Sequence, residues 1–177
     1  MRMDALLPHI WDWFRQKRDY FEVFAAADSR LEGRFKAEML MLLTQLAKQG
    51  VIEGFEREAN IPIPASGKRA QVDFRIFAHG QEHLCELKAL SISRAAGTPR
   101  SLQFYFRDDG LGLLKDFRKL NALGHPSKWV LAFVYPAPQP IEWNHVVEAL
   151  PNDLKHWKLQ THVEDFPDWV YIALWRG

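Results

Sequence analysis

The chain has 177 residues, of which 47% are hydrophobic and 25% charged, and its formal net charge is +1 at pH 7. These values suit a globular protein with a sizeable core, and they exclude neither nucleic acid nor a protein as partner. No apolar run approaches the ~20 residues of a membrane span, and no secretory signal pattern is present. The single cysteine, Cys85, precludes an internal disulfide, so we expect a cytoplasmic protein without membrane association.

The charge is unevenly distributed along the chain. Residues 57–107 carry 8 basic and 4 acidic side chains, whereas residues 1–56 carry 8 and 9 and residues 108–177 carry 7 and 9. A positive middle third would suit a polyanionic partner. A solvated face around a few arginines explains the same excess equally well.

The N-terminal part predicts two helices. Apolar residues recur at three- and four-residue steps over residues 8–26, and many of them are aromatic. We expect these rings to pack over the core, with a dimer interface or a base-stacking surface as alternatives. A second helix is predicted from about residue 30 to Gln49, ended by Gly50, with Glu38 on one margin of its apolar stripe and Glu32 on the other.

Three strands are predicted next. Residues 51–58 form the first, followed by an extended connection at residues 61–64. Two more strands lie between residues 67 and 90, joined by a tight turn in which His79 and His83 are expected to be solvated. Asp73 lies in the first of this pair. Glu86 and Lys88 share one face of the second, because alternate side chains of a strand point the same way.

The remaining chain predicts a helix from about residue 110 to 123, a strand over 129–135, a helix over 142–150 and a strand over 170–175. The economical architecture is α/β, a central mixed sheet flanked by helices. We expect one domain, with an N-terminal aromatic helix at 1–28, a core at 30–136, and a C-terminal helix and strand at 137–177.

The three charged side chains of the strand pair suggest a chemistry. Two carboxylates, Asp73 and Glu86, beside the ammonium group of Lys88 can hold a divalent metal and orient a water. The structural alternative is a Glu86–Lys88 salt bridge with Asp73 capping a turn. A buried ionic cluster is a poor source of stability, because desolvation costs roughly several kcal/mol per ion.

The pattern resembles the PD-(D/E)xK nuclease superfamily over about residues 30–136. The resemblance rests on the order helix, three strands, helix, strand, with Asp73 in the second strand and Glu86-Leu87-Lys88 in the third. The thirteen-residue interval between Asp73 and Glu86, with the basic loop before Asp73, looks most like Holliday junction resolvase-like members. Val72 replaces the proline of the motif. The implied fold is a restriction-endonuclease-like αβββαβ core with an extra N-terminal helix.

The resemblance also implies a metal site. Asp73, Glu86 and the carbonyl of Leu87 would bind Mg²⁺, for which Mn²⁺ would substitute. Lys88 would position the attacking water rather than act as a base, since nearby negative charge favours the cation. Glu38, with Glu32 in reserve, would complete the metal shell.

The implied function is metal-dependent hydrolysis of phosphodiester bonds in DNA, as a resolvase, repair or restriction-like endonuclease. The resemblance does not exclude RNA as the substrate. Resolvases and many restriction enzymes of this fold act as dimers, so a homodimer is one of the assemblies it implies. The competing function is a catalytically inactive module of the same fold that binds nucleic acid or a partner protein. The residues expected to hold backbone phosphates are Lys68, Arg69, Arg94 and Arg100.

Overall fold

The computed structural model describes residues 3–26, 31–64, 66–92, 101–107, 112–161 and 171–177. In this part of the chain, helices flank a mixed sheet of six strands. The helices are α1 (Leu7–Arg15), α2 (Arg18–Ala26), α3 (Leu31–Lys48), α4 (Leu113–Ala122) and α5 (Pro140–Glu148), with short 3₁₀ helices at Met3–Leu6, Leu102–Phe106 and Asn152–Leu154. The strands are β1 (Gly54–Pro62), β2 (Arg69–Ala78), β3 (Gln81–Ser91), β4 (Lys128–Tyr135), β5 (Lys158–Thr161) and β6 (Tyr171–Arg176).

The sheet has the strand order β1-β2-β3-β4-β6-β5. Among the strand pairs of the described residues, only β3 and β4 run parallel, and α4 lies between them in the chain, as a parallel pair requires a crossover. The α/β class and the mixed sheet flanked by helices are therefore confirmed. Two strand predictions need correction: β1 continues to Pro62 through the expected connection, and β5 was missed. None of the helices in the described ranges is long and apolar enough to cross a membrane.

One core lies between the sheet and helices α1 to α3. Phe133 of β4 is at its centre, with ring centroids 5.3 Å from Phe14, 5.1 Å from Phe21 and 4.6 Å from Phe35. A continuous helix over residues 8–26 would separate Phe14 and Phe21 by about 10 Å along its axis. The chain instead breaks between α1 and α2, and these two ring centroids lie 5.6 Å apart. The predicted packing over the core is confirmed for the rings of Phe14 and Phe21, whereas the prediction of a single helix was wrong.

A second core lies on the opposite face of the sheet, under α4 and α5. Phe117 of α4 stacks on Trp157 with a centroid distance of 4.5 Å, and Trp143 of α5 packs edge-on against Tyr171 at 4.6 Å. Both cores are almost wholly apolar, and the sheet between them contributes alternate side chains to each. Glu86 of β3, a charged residue only 3% exposed, therefore lies in an otherwise almost wholly apolar interior.

The turn between β2 and β3 contains two residues, His79 and Gly80, both with positive φ (53° and 70°). This is the backbone of a type I′ turn, which suits the twist of a hairpin. His79 is exposed as predicted, but the prediction for His83 was wrong. His83 is buried, and its Nδ1 atom lies 2.6 Å from the hydroxyl of Ser127.

Candidate active site

The site residues of β2 and β3 lie where these two strands separate. Their antiparallel pairing runs from Ala78–Gln81 to Phe74–Cys85 and stops there. The next residues, Asp73 on β2 and Glu86 on β3, would form the following pair. On its other side, β2 pairs with β1 at both flanks of Asp73, but Glu58, opposite Asp73, has φ 53° and leaves the ladder. A local opening in the sheet therefore surrounds Asp73.

The Asp73 carboxylate takes over part of the missing strand pairing. Its Oδ2 atom accepts a hydrogen bond from the backbone N–H of Leu87 at 2.8 Å. Its Oδ1 atom lies 2.7 Å from Nζ of Lys36, which α3 supplies. Burial alone would lower the pKa of Lys36, but the hydrogen bond and charge of Asp73, together with those of Glu32, raise it. Asp73 is therefore fixed by β3 on one oxygen and neutralised by α3 on the other.

Glu86 is the most buried carboxylate of the site, with a side chain only 4% exposed. Its Oε1 atom lies 2.6 Å from Nζ of Lys119 on α4, although the two groups are not aligned as a hydrogen bond. Burial, and then the charge of Asp73, raise the pKa of Glu86 to about 8, while Lys119 opposes the rise. Glu86 is also next to Leu87, whose backbone N–H donates to Asp73, so the two carboxylates belong to neighbouring positions of β2 and β3.

Lys88 lies on the same face of β3 as Glu86 and connects two helices. Its Nζ atom is 3.6 Å from a carboxylate oxygen of Glu32 on α3 and 3.6 Å from Oδ2 of Asp116 on α4. The salt bridge between Lys88 and its near neighbour Glu86, the structural alternative from the sequence, is not among the contacts of the described residues. Lys88 instead has a carboxylate on either side.

Of the two glutamates proposed on the helix, Glu32 lies beside Lys36 and Lys88, whereas the first choice, Glu38, lies beside Trp13 and Lys17. Glu38 accepts a hydrogen bond from the indole of Trp13 at 2.9 Å and pairs with Lys17 at 3.1 Å, so it holds α1 against α3. Glu32 contacts Lys36 at 3.2 Å and Lys88 at 3.6 Å. The two glutamates lie on opposite margins of the α3 stripe, and the sequence did not show which margin faces the opening.

Three contributors were missed in the sequence: Lys36, Asp116 and Lys119. Asp116 falls among the buried residues of α4, three residues after Leu113 and four before Leu120. An acidic residue on an apolar stripe was the available signal. Burial raises the pKa of Asp116, while Lys88 and Lys119 oppose the rise. The charged residues around the opening, which we call the carboxylate–lysine cluster, are Glu32, Lys36, Asp73, Glu86, Lys88, Asp116 and Lys119.

Two of the four residues predicted to contact phosphates lie within the described part of the chain. Lys68 and Arg69 are exposed just before Asp73 in the chain, and the Arg69 guanidinium donates to the carbonyl of Asn60 at 2.6 Å. Arg94 and Arg100 lie outside the described residues. The structure therefore locates a basic loop at the start of β2.

The donor chemistry of the cluster fits a divalent cation, although lysines neutralise the carboxylates in this structure. Among the described residues, no three acidic, histidine or cysteine side chains come together as a ready metal site. Two buried oxygens, Oε1 of Glu86 and Oδ2 of Asp116, nevertheless lack an aligned hydrogen-bond partner. Carboxylate oxygens are the ligands that a hard cation such as Mg²⁺ prefers.

Comparisons with models of known protein families, with curated proteins and with solved structures found no match to this chain.

Proposed function

We propose that the chain is a metal-dependent nuclease that hydrolyses phosphodiester bonds in DNA. The observation that carries the proposal is the position of Asp73 and Glu86 directly beyond the last paired residues of β2 and β3, where Asp73 accepts a hydrogen bond from Leu87 and Lys88 follows on the same strand. Structural ion pairs alone give a poor account of such a cluster, because a carboxylate as buried as Glu86 costs free energy when ionised. A perturbed pKa of this kind marks candidate functional groups.

The element order supports a restriction-endonuclease-like core. Helix α3, strands β1, β2 and β3, helix α4 and strand β4 follow one another in the αβββαβ order that the resemblance implies. Asp73 lies in the second of these strands and Glu86 in the third. The resolvase, repair and restriction-like activities remain the proposed range within this class.

The residues have distinct roles in the proposed reaction. Asp73 and Glu86, with the carbonyl of Leu87, would hold Mg²⁺, and Glu32 replaces Glu38 as the helix carboxylate. When bound, the metal supplies Lewis acidity and an oriented water. Lys88, held between Glu32 and Asp116, is placed to position that water and to stabilise charge on the phosphate.

The substrate reaches the site along basic side chains. Lys68 and Arg69 are exposed near the start of β2, the strand that carries Asp73. Together with Arg94 and Arg100 they would hold backbone phosphates, which predicts binding that weakens steeply with salt. Such contacts carry no sequence information by themselves.

The first prediction concerns cleavage. Supercoiled plasmid, single strands and a four-way junction are incubated with the wild type and with Asp73→Asn, in Mg²⁺ or Mn²⁺. Asn retains an oxygen that can accept from Leu87 but loses the charge, so we expect cleavage to fall at least about a hundredfold. Asp12→Asn, on the exposed side of α1, is the control and should cut like the wild type. Absence of metal-dependent cleavage, or an Asp73→Asn variant that cuts normally, would refute the proposal.

The second candidate function is an inactive module that binds nucleic acid or a protein. The observation in its favour is that each carboxylate of the cluster already contacts a lysine. This function predicts nucleic-acid binding that is independent of Mn²⁺ and not followed by cleavage.

A further inference from the structure

Two lysines occupy the carboxylates that the proposed metal would use. Lys36 lies 2.7 Å from Asp73, and Lys119 lies 2.6 Å from Glu86. The lysines belong to α3 and α4, which pack on opposite faces of the sheet, and they reach the same opening between β2 and β3. Neither lysine belongs to the sequence motif.

Both lysines are partly exposed to solvent, and each has a second polar contact. The side chain of Lys36 is 34% exposed and that of Lys119 is 29% exposed, whereas Glu86 is only 4% exposed. Each has a second contact nearby, Glu32 for Lys36 at 3.2 Å and the carbonyl of Gln71 for Lys119 at 3.1 Å. A lysine stem is flexible and its ammonium group is readily hydrated, so each charge can leave its carboxylate for a partner at the surface.

The charges of the cluster indicate what that partner is. With every group ionised, the four carboxylates and three lysines of the carboxylate–lysine cluster leave one excess negative charge. A divalent cation would convert this into one excess positive charge. An anion that accepts the displaced ammonium groups would neutralise this excess positive charge. The phosphates of a nucleic-acid backbone are such anions.

We propose that Lys36 and Lys119 compete with the divalent cation for Asp73 and Glu86 and transfer to substrate phosphates when nucleic acid binds, so that metal and nucleic acid bind cooperatively. The inference rests on the proposed function for its substrate class, but it concerns binding and not cleavage. Coupling of this kind is reciprocal, since each ligand raises the affinity for the other by the same factor.

The test measures Mn²⁺ affinity by electron paramagnetic resonance, with and without a short DNA duplex that has a phosphorothioate backbone. The proteins are the wild type, Lys36→Met and Lys119→Met. Without DNA, we expect both variants to bind Mn²⁺ about tenfold more tightly than the wild type. The duplex should tighten Mn²⁺ binding to the wild type by about tenfold and to the variants much less.

Lys115→Met is the matched control, because Lys115 is an exposed lysine on α4 and its loss also removes one positive charge. It should bind Mn²⁺ like the wild type and retain the coupling. Lys36→Met carries the test if Lys119→Met fails to fold through the loss of its contact with buried Glu86. Unchanged or weaker Mn²⁺ binding by Lys36→Met would overturn the inference. So would a Mn²⁺ affinity of the wild type that does not change when the duplex is added.

The outcomes separate this inference from the nuclease proposal. Coupled binding without any cleavage would sustain the competition by lysines and refute the nuclease. Cleavage that depends on Asp73, with no gain in Mn²⁺ affinity in Lys36→Met, would do the reverse. Absence of Mn²⁺ binding by every protein in both conditions would overturn both.

Discussion

Two antiparallel strand pairs of the same sheet differ in how completely their backbones pair and in the polarity of their side chains. β4 and β6 pair without interruption from Trp129–Arg176 to Val134–Tyr171, and the side chains of these paired residues are buried apart from Arg176. β2 and β3 pair only up to Phe74 and Cys85, and charged groups gather beyond that point. Where the ladder is complete, the sheet serves the two cores. Where it opens, side chains replace backbone partners and groups from both faces meet.

The largest effect is expected when a buried side chain is truncated in the fully paired region, formed by β4 and β6. Phe133→Ala removes the ring that contacts Phe14, Phe21 and Phe35, and Phe133 is fully buried. We expect the free energy of unfolding to fall by about 3–5 kcal/mol, measured by urea denaturation. Ile141→Ala is the control, because Ile141 is 79% exposed and its truncation should change little. A small effect at Phe133 would mean that the aromatic core is loosely packed.

The open region between β2 and β3 should make the free energy of unfolding depend on pH. The fully paired region of β4 and β6 should not. In the unfolded chain the Glu86 carboxyl titrates near 4.5, whereas its folded pKa is about 8. Between these values the folded state holds the extra proton, so the free energy of unfolding falls as pH rises from about 5 to above 8. The shift sets an upper limit of about 5 kcal/mol, and relaxation around the ionised group lowers our expectation to about 3 kcal/mol.

Glu86→Gln should abolish most of this pH dependence, measured by denaturation without added metal. The variant should be more stable than the wild type at pH 9, because it no longer buries a charge. Glu148→Gln on the exposed side of α5 is the control and should keep the wild-type profile. A wild-type profile that is flat between pH 5 and pH 9 would contradict this account of Glu86.

The smallest effect is expected from an ion pair outside both regions. Arg18 and Glu22 of α2 are four residues apart and 2.8 Å from each other, with side chains 53% and 38% exposed. Glu22→Gln should lower the free energy of unfolding by about 0.5 kcal/mol or less, because solvent screens the pair. A loss as large as that of Phe133→Ala would show that exposed pairs of this protein contribute more than their surroundings suggest.

The parts of the fold that were predictable depend on short stretches of sequence. Local periodicity predicts the apolar stripe of α3 and the shared face of Glu86 and Lys88. The glycine of the turn, Gly80, predicts the hairpin. The α/β class follows from the order of these elements. The break between α1 and α2 was not predictable, because the packing of Phe14 and Phe21 on a distant strand decides it.

The candidate site was predictable in its motif and not in its surroundings. Asp73 and Glu86 belong to one hairpin, so their register follows from the turn. Lys36 and Lys119 meet them only because α3 and α4 pack on the sheet in one particular orientation. For the same reason the sequence could not choose between Glu32 and Glu38, which differ in the margin of α3 that they occupy.

The left-handed residue Glu58 has a consequence beyond the opening at Asp73. β1 is an edge of the sheet, and an exposed edge can recruit a strand from another molecule and begin aggregation. Glu58 interrupts this edge with an irregular backbone, its neighbours Glu56 and Arg57 are exposed charges, and Pro62 removes a donor at the end of the strand. The irregular backbone at Glu58 opens the sheet beside the carboxylate–lysine cluster. It thus also protects the edge strand β1 against self-association.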